Sequence, residues 1–158
     1  MTKLGPDTDG IDHINIYSKS RTELGRLLSN FAYSPIVLPE DGSFSSIEGY
    51  WYWLLCDSPS RDRLRTLFGF GAKEMGRHLQ SPDWPSSVDL ESFKVKIEKA
   101  LFKKAESSPL IQGLLSRNRL PFSHYYVYNE KIIKVKDCEW ILEIWNKISI
   151  FYKNKEAS

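Results

Sequence analysis

The sequence predicts an α+β fold, a single, mostly helical domain with a small antiparallel sheet. Three observations predict it. Apolar residues recur at helical spacing over 45–55, 88–106 and 140–150. Two short segments rich in β-branched and aromatic residues flank Asn129-Glu130 in the manner of a hairpin. The 158 residues are 41% hydrophobic and 27% charged, which supports one core but not two ordinary domains.

In chain order, residues 1–10 read as a flexible start and 11–152 as the domain, with 153–158 a flexible end. Asp12 to Tyr17 alternates, with Ile14 and Ile16 on one face and His13, Asn15 and Tyr17 on the other, so it reads as a short strand. Thr22 to Leu28 fits a short helical segment. From Asn30 to Phe44 the chain is loop and extended, punctuated by Pro35, Pro39 and Gly42. Ser45 with Glu48 three residues later is a capping-box pattern, and Ile47, Tyr50, Trp51, Leu54 and Leu55 continue it at helical spacing. Pro59 breaks that helix. Arg61 to Phe68 makes a second, with Leu64, Leu67 and Phe68 inward, and Ala72 to Leu79 a third after a kink at Gly69 and Gly71.

Ser81 to Ser87, with two prolines and Trp84, reads as a loop. Val88 to Glu106 is the longest helical stretch, with Leu90, Phe93, Ile97 and Leu101 as its apolar stripe and the lysines mostly opposite. Pro109 fits the first turn of a helix running to Leu115. Ser123–Tyr128 and Lys131–Val135 are the hairpin strands. Trp140 to Ile150 closes the chain as a helix with Ile141, Ile144, Trp145 and Ile148 facing in. No repeat or low-complexity tract occurs.

The composition narrows the function. A formal charge of +2 makes no case for nucleic-acid binding by charge alone. Cys56 and Cys138 form no CxxC pair and no disulfide framework, so both are expected as buried free thiols in a reducing compartment. The first residues lack the apolar stretch of a signal peptide, and no apolar run approaches the roughly 18 residues of a membrane span. A cytoplasmic chain without membrane contact is expected. His13, His78 and His124 are scattered without metal-ligand spacing, and no G-x-S-x-G elbow occurs, so neither a metal site nor a serine hydrolase is expected.

Several residues carry chemistry and also admit a plain structural role. Glu48 either completes the cap or acts as a general acid/base and partner for a developing cation. Lys73 and Arg77, four apart, share a helix face. They are either a solvated basic face or a phosphate-binding pair, with Lys73 also an amine nucleophile. Gly69-Phe70-Gly71 is no dinucleotide fingerprint, because Gly76 stands too far along. Ser29-Asn30-Phe31 is either a turn or a polar loop for a ligand. His124, Tyr126 and Tyr128 would share one strand face, as a stacking wall or as the half-exposed side of a hairpin. Aromatic residues make up 13% of the chain, more than the core needs, and leave some for stacking on a base.

Two segments together resemble the NADAR family, whose name links it to NAD and ADP-ribose. Ser29-Asn30-Phe31, Pro35 and Ser46-Ile47-Glu48-Gly49-Tyr50 follow one family run. Ala72-Lys73-Glu74-Met75-Gly76-Arg77 follows another at its fixed positions. The likeness covers about residues 11 to 80 and is nearest to a short branch of phages and bacteria, which would put a phage-encoded member in the host cytoplasm. The acidic motif that members often carry near a Trp-Gly pair in the last third does not occur. Pro121 to Tyr128 stands there instead.

The resemblance implies an N-glycosidase cleaving a base–ribose bond in an ADP-ribosylated base, guanine-linked ADP-ribose, or a related phosphoribosyl compound. Glu48 and Lys73 would be catalytic. Ser29, Asn30, Phe31, Tyr50, Trp53, Arg77, His124 and Tyr126 would bind ligand. Among Phe31, Tyr50, Trp51 and Trp53 as base-stacking residues, Trp51 fits the core stripe better. No cofactor or metal is implied. The partner is ADP-ribose or a phosphoribosyl small molecule, or the same group on nucleic acid. The missing acidic motif keeps open a non-catalytic ADP-ribose-binding module or a phage-type interaction protein.

Overall fold

A computed structural model describes residues 4–80 and 89–157. In chain order it contains a 3-10 turn (Pro6–Thr8), β1 (Ile14–Asn15), α1 (Glu23–Leu28), β2 (Ile36–Leu38), β3 (Gly42–Phe44) and α2 (Ile47–Leu55). A 3-10 helix (Pro59–Thr66), α3 (Gly69–Leu79), α4 (Leu90–Glu106), α5 (Pro109–Arg117), β4 (Phe122–Ser123), β5 (Tyr125–Tyr128), β6 (Lys131–Lys134) and α6 (Glu139–Ala157) follow. The fold is α+β and mostly helical, and its strands form three two-stranded sheets. β2–β3 and β5–β6 are antiparallel, and β1–β4 is parallel. The loop expected at 81–87 lies outside the described residues. The chain divides into two compact units, one formed by residues 1–29 and 108–158 and the other by 30–107.

In the first unit, β1 is held by more than its two-residue ladder. The Ile14 and Ile16 amides donate to the carbonyls of Pro121 and Ser123. The Asn15 side chain then extends the pairing. Its Oδ1 accepts from the Tyr125 amide and its Nδ2 donates to the Tyr125 carbonyl, both at 2.9 Å. This explains why Asn15 and His13 are buried, although the alternation placed them on the face opposite Ile14. His13 bridges Asp12 and the Tyr125 hydroxyl, at 2.6 Å on each side.

Asp9 is also buried. It accepts from the Asn15 amide, the Ser20 hydroxyl and the Arg21 amide. Helix α6 continues to Ala157 rather than ending near Ile150, and Ile144, Trp145, Ile148 and Tyr152 form its buried stripe. The hairpin forms as predicted, with Tyr128 opposite Lys131. Asn129 and Glu130 both take positive φ, as a two-residue turn requires.

In the second unit α2 and α4 begin where side chains cap them. Ser46, not Ser45, caps α2, its hydroxyl accepting from the Gly49 amide at 3.0 Å. The same fully buried hydroxyl donates to the Leu67 carbonyl at 2.8 Å. That second bond selects Ser46, because only its side chain faces the end of the 3-10 helix. The expected Arg61–Phe68 helix is this 3-10 segment. Leu64 is buried, whereas Phe68 is 52% exposed instead of inward.

α3 starts at Gly69, whose φ of 60° makes the turn out of extended chain, so the expected kink is the helix start itself. Asp89 caps α4, which buries Phe93, Ile97 and Leu101 but leaves Leu90 exposed. Lys104 is the exception to the outward lysines. It is fully buried, and desolvation lowers its pKa to about 7.

Asn15→Ala should leave the Tyr125 amide and carbonyl without their partners. The expected cost is about 2–5 kcal/mol of unfolding free energy, read by urea denaturation. A loss below about 1 kcal/mol would show that the side-chain rung contributes little.

Candidate functional site

The second unit brings three of the predicted residues together. Glu48 stands in the first turn of α2, and Lys73 and Arg77 stand one turn apart on α3. Because Ser46 is the cap, Glu48 is one residue short of the capping-box position, which Gly49 occupies. Its carboxylate is therefore not engaged as the expected capping partner. The half-buried side chain instead lies within the fields of Lys73 and Arg77. Burial pushes the Glu48 pKa up to about 7, and the two cations pull against that rise.

One glycine lets α3 approach α2, and another seats α2 against the 3-10 helix. A Cβ at Gly76 would collide with the Tyr52 ring, and a Cβ at Gly49 would stand 2.6 Å from the Leu64 carbonyl. Tyr52, one turn after Glu48 on α2, lies over Gly76, and its hydroxyl hydrogen-bonds the Arg77 side chain. Burial and the Glu48 charge raise the Tyr52 pKa, so the hydroxyl stays protonated beside the carboxylate. Tyr52 was not among the residues singled out from sequence. Its signal was the i, i+4 spacing from Glu48.

The loop before β2 closes onto both helices. The Asn30 carbonyl accepts from the Glu48 amide, and the Phe31 carbonyl from the Gly69 amide, each at 3.0 Å. The Lys73 Nζ lies 5.7 Å from the Phe31 ring centroid. Asn30 and Phe31 thus border Glu48 and Lys73.

Tyr50 and Trp53 lie elsewhere on α2. Tyr50 is buried against Phe44, and its hydroxyl donates to Asp41 at 2.6 Å. The Trp53 indole donates to Asp62 and lies under the Arg61 guanidinium, 3.6 Å from its ring centroid. Both serve the packing of β3 and the 3-10 helix. Trp51 packs edge-on against Phe93 of α4. In the first unit, Ser29 is buried at the end of α1. His124 lies between β4 and β5 with its Nδ1 2.6 Å from the Ile16 carbonyl, and burial lowers its pKa. Its ring meets Tyr126 edge-on, and Tyr126 meets Tyr17.

The fold is similar to that of the E. coli protein YbiA, solved by NMR. The TM-score is 0.65 at 17% identity, over 99% of this chain and 90% of that one. No family model and no curated protein matches the chain by sequence. The likeness to YbiA is therefore one of fold. Among the described residues no group of His, Cys, Asp and Glu is placed to hold a metal ion, and no helix is long and apolar enough to cross a membrane.

Two measurements check this geometry. Gly76→Ala should destabilise the protein by about 1–3 kcal/mol through overpacking against Tyr52, outweighing the roughly 1 kcal/mol that alanine gains over glycine in a helix. Equal or higher stability would contradict the close approach. The Glu48 carboxyl should titrate near pH 7 by carbon-detected NMR, against an ordinary value of 4.5. Between those values the folded state binds more protons than the unfolded state. Stability should therefore fall as pH rises from 4.5 through 7, and this slope should be missing in Glu48→Gln.

Proposed function

We propose that the chain is an N-glycosidase that hydrolyses the base–ribose bond of an ADP-ribosylated base, guanine-linked ADP-ribose, or a related phosphoribosyl compound. The observation that carries this reading is the pairing of Glu48, whose pKa burial raises to about 7, with Lys73 and Arg77 across the close approach of Tyr52 and Gly76. The fold it shares with YbiA and the resemblance to the NADAR family support it. The substrate group is presented free or on nucleic acid.

Each residue has a role in the chemistry. Cleavage passes through an oxocarbenium-like state, which a carboxylate stabilises. The C1′–N bond breaks with its electron pair going to the base, and protonated Glu48 supplies the proton the leaving base needs. The Lys73 amine forms a bond to C1′. One of its two protons passes to the ring oxygen as the sugar opens and the other to the Glu48 carboxylate, leaving an imine; water then adds at C1′, its two protons restore the amine, and the sugar leaves as ADP-ribose or its phosphoribosyl counterpart. The sum is one water consumed and one base released. Arg77 holds a phosphate through its paired N–H groups, oriented by Tyr52. Asn30 and Phe31 border the sugar and base.

The test is mass spectrometry of ADP-ribosylated guanosine and DNA after incubation. Wild type should release ADP-ribose. Glu48→Gln and Lys73→Ala should lose at least about a hundredfold in rate, the usual scale of acid–base catalysis, with circular dichroism unchanged. Unchanged turnover in both variants would overturn the proposal. The missing late acidic motif favours a second reading, a non-catalytic ADP-ribose-binding module. Calorimetry would then show ADP-ribose binding with no product at high protein concentration.

A further inference from the structure

The loop at 31–33 and the start of α3 carry four aromatic rings that the reaction above leaves largely unused. The Gly69 amide donates to the Phe31 carbonyl at 3.0 Å and ties the two segments together. Phe31 meets Phe70 and Tyr33 meets Phe68, each pair edge-on with centroids 5.4 Å apart. Three of the four are well exposed: Tyr33 at 63%, Phe68 at 52% and Phe70 at 68%. Exposed aromatics so close together leave apolar ring faces in water, a cost the fold does not require. The second unit already buries Phe44, Tyr50, Trp53 and Phe93.

We propose that these rings are a stacking platform for a flat heteroaromatic base, with Phe70 as its main specificity-determining residue. This rests on the reading of Glu48 and Lys73 as the reacting pair. The position of the platform names its occupant. Phe31 is shared between the aromatic pair and Lys73, whose Nζ is 5.7 Å from its ring. A ring resting on Phe31 and Phe70 therefore brings its attached sugar within reach of the amine. Edge-on pairs leave faces open to a third ring, and every base has a face to offer, whereas an aliphatic or single sugar ligand does not.

The backbone holds the platform in shape. Gly69 takes a left-handed φ of 60°, and the Ser34 amide donates to the Ser45 carbonyl at 2.8 Å, so both segments are tied down before any ligand arrives. The adjacent Gly71 has open space where a side chain would be, which leaves the approach clear.

The experiment separates this proposal from the reaction. Guanosine, which lacks the phosphates and the ADP-ribosyl bond, is titrated into wild type, Phe70→Ala and Phe70→Trp and followed by NMR. Contacts between base protons and the Phe31 and Phe70 rings are expected in wild type, with affinity about tenfold weaker in Phe70→Ala and kept in Phe70→Trp. Because Phe70 is exposed, neither variant should unfold. Equal affinity in all three proteins, or no contact between base and rings, overturns the platform whether or not the protein turns over ADP-ribosylated guanosine. Absence of turnover with the contacts present overturns the reaction and leaves the platform standing. With turnover, Phe70→Ala should raise KM about tenfold and leave kcat within about threefold. A fall in kcat alone would assign Phe70 to the chemistry and overturn its role in base recognition.

Discussion

The second unit depends on one buried hydroxyl. Ser46 accepts from Gly49 and donates to Leu67, so a single oxygen both starts α2 and fastens the end of the 3-10 helix. Two consequences follow along the chain. The first turn of α2 is fixed in rotation, which aims Glu48 and Tyr52 toward α3 and sends Tyr50 and Trp53 to the core. The end of the 3-10 helix is fixed in position, which sets where Gly69 must turn and hence where Lys73 and Arg77 emerge. A carboxylate and two cations on different helices meet only if both helices are indexed to the same point, and Ser46 supplies that point.

Electrostatics then divides the roles. Burial disfavours the charged form of Glu48, and the cations recover only part of the loss. A carboxyl held near neutrality can exist in either protonation state at working pH, which suits proton transfer better than a permanent ion pair would. Tyr52 sits between the carboxylate and Arg77 and keeps the guanidinium oriented without neutralising Glu48. The approach of α2 and α3 at Tyr52 and Gly76 makes this triangle small.

Much of the fold was legible because helix periodicity and turn chemistry are local. The Asn129-Glu130 hairpin, the α4 stripe at Phe93, Ile97 and Leu101, and the proline-started α5 all follow from residues a few positions apart. The errors arose where a distant partner decided the outcome. Ser45 and Ser46 are equivalent caps by local pattern, and the Leu67 carbonyl selects the second. Asn15 looked like an outward residue until the Tyr125 backbone claimed it. Phe68 fits an inward helical position, but a 3-10 helix turns faster and ends before it, which leaves the ring outside. In the site, the four-residue spacing of Lys73 and Arg77 put them on one face of α3 as read. The link to Glu48 had to come through the contact of Tyr52 with Gly76. Tyr50 and Trp53, which the resemblance assigns to base stacking, hydrogen-bond Asp41 and Asp62.

The chain order of the two units has a consequence for synthesis. The second unit, 30–107, is one uninterrupted stretch, whereas the first needs residues from both ends of the chain. A ribosome adding about 5–20 residues per second takes about 1–4 s to pass from Ser107 to Tyr125, longer than many small units need to fold. The Glu48, Lys73 and Arg77 cluster can therefore be assembled while β1 is still waiting for Tyr125 to be translated. That cluster would be the older assembly of the nascent protein, and β1, although synthesised before it, would be completed after it.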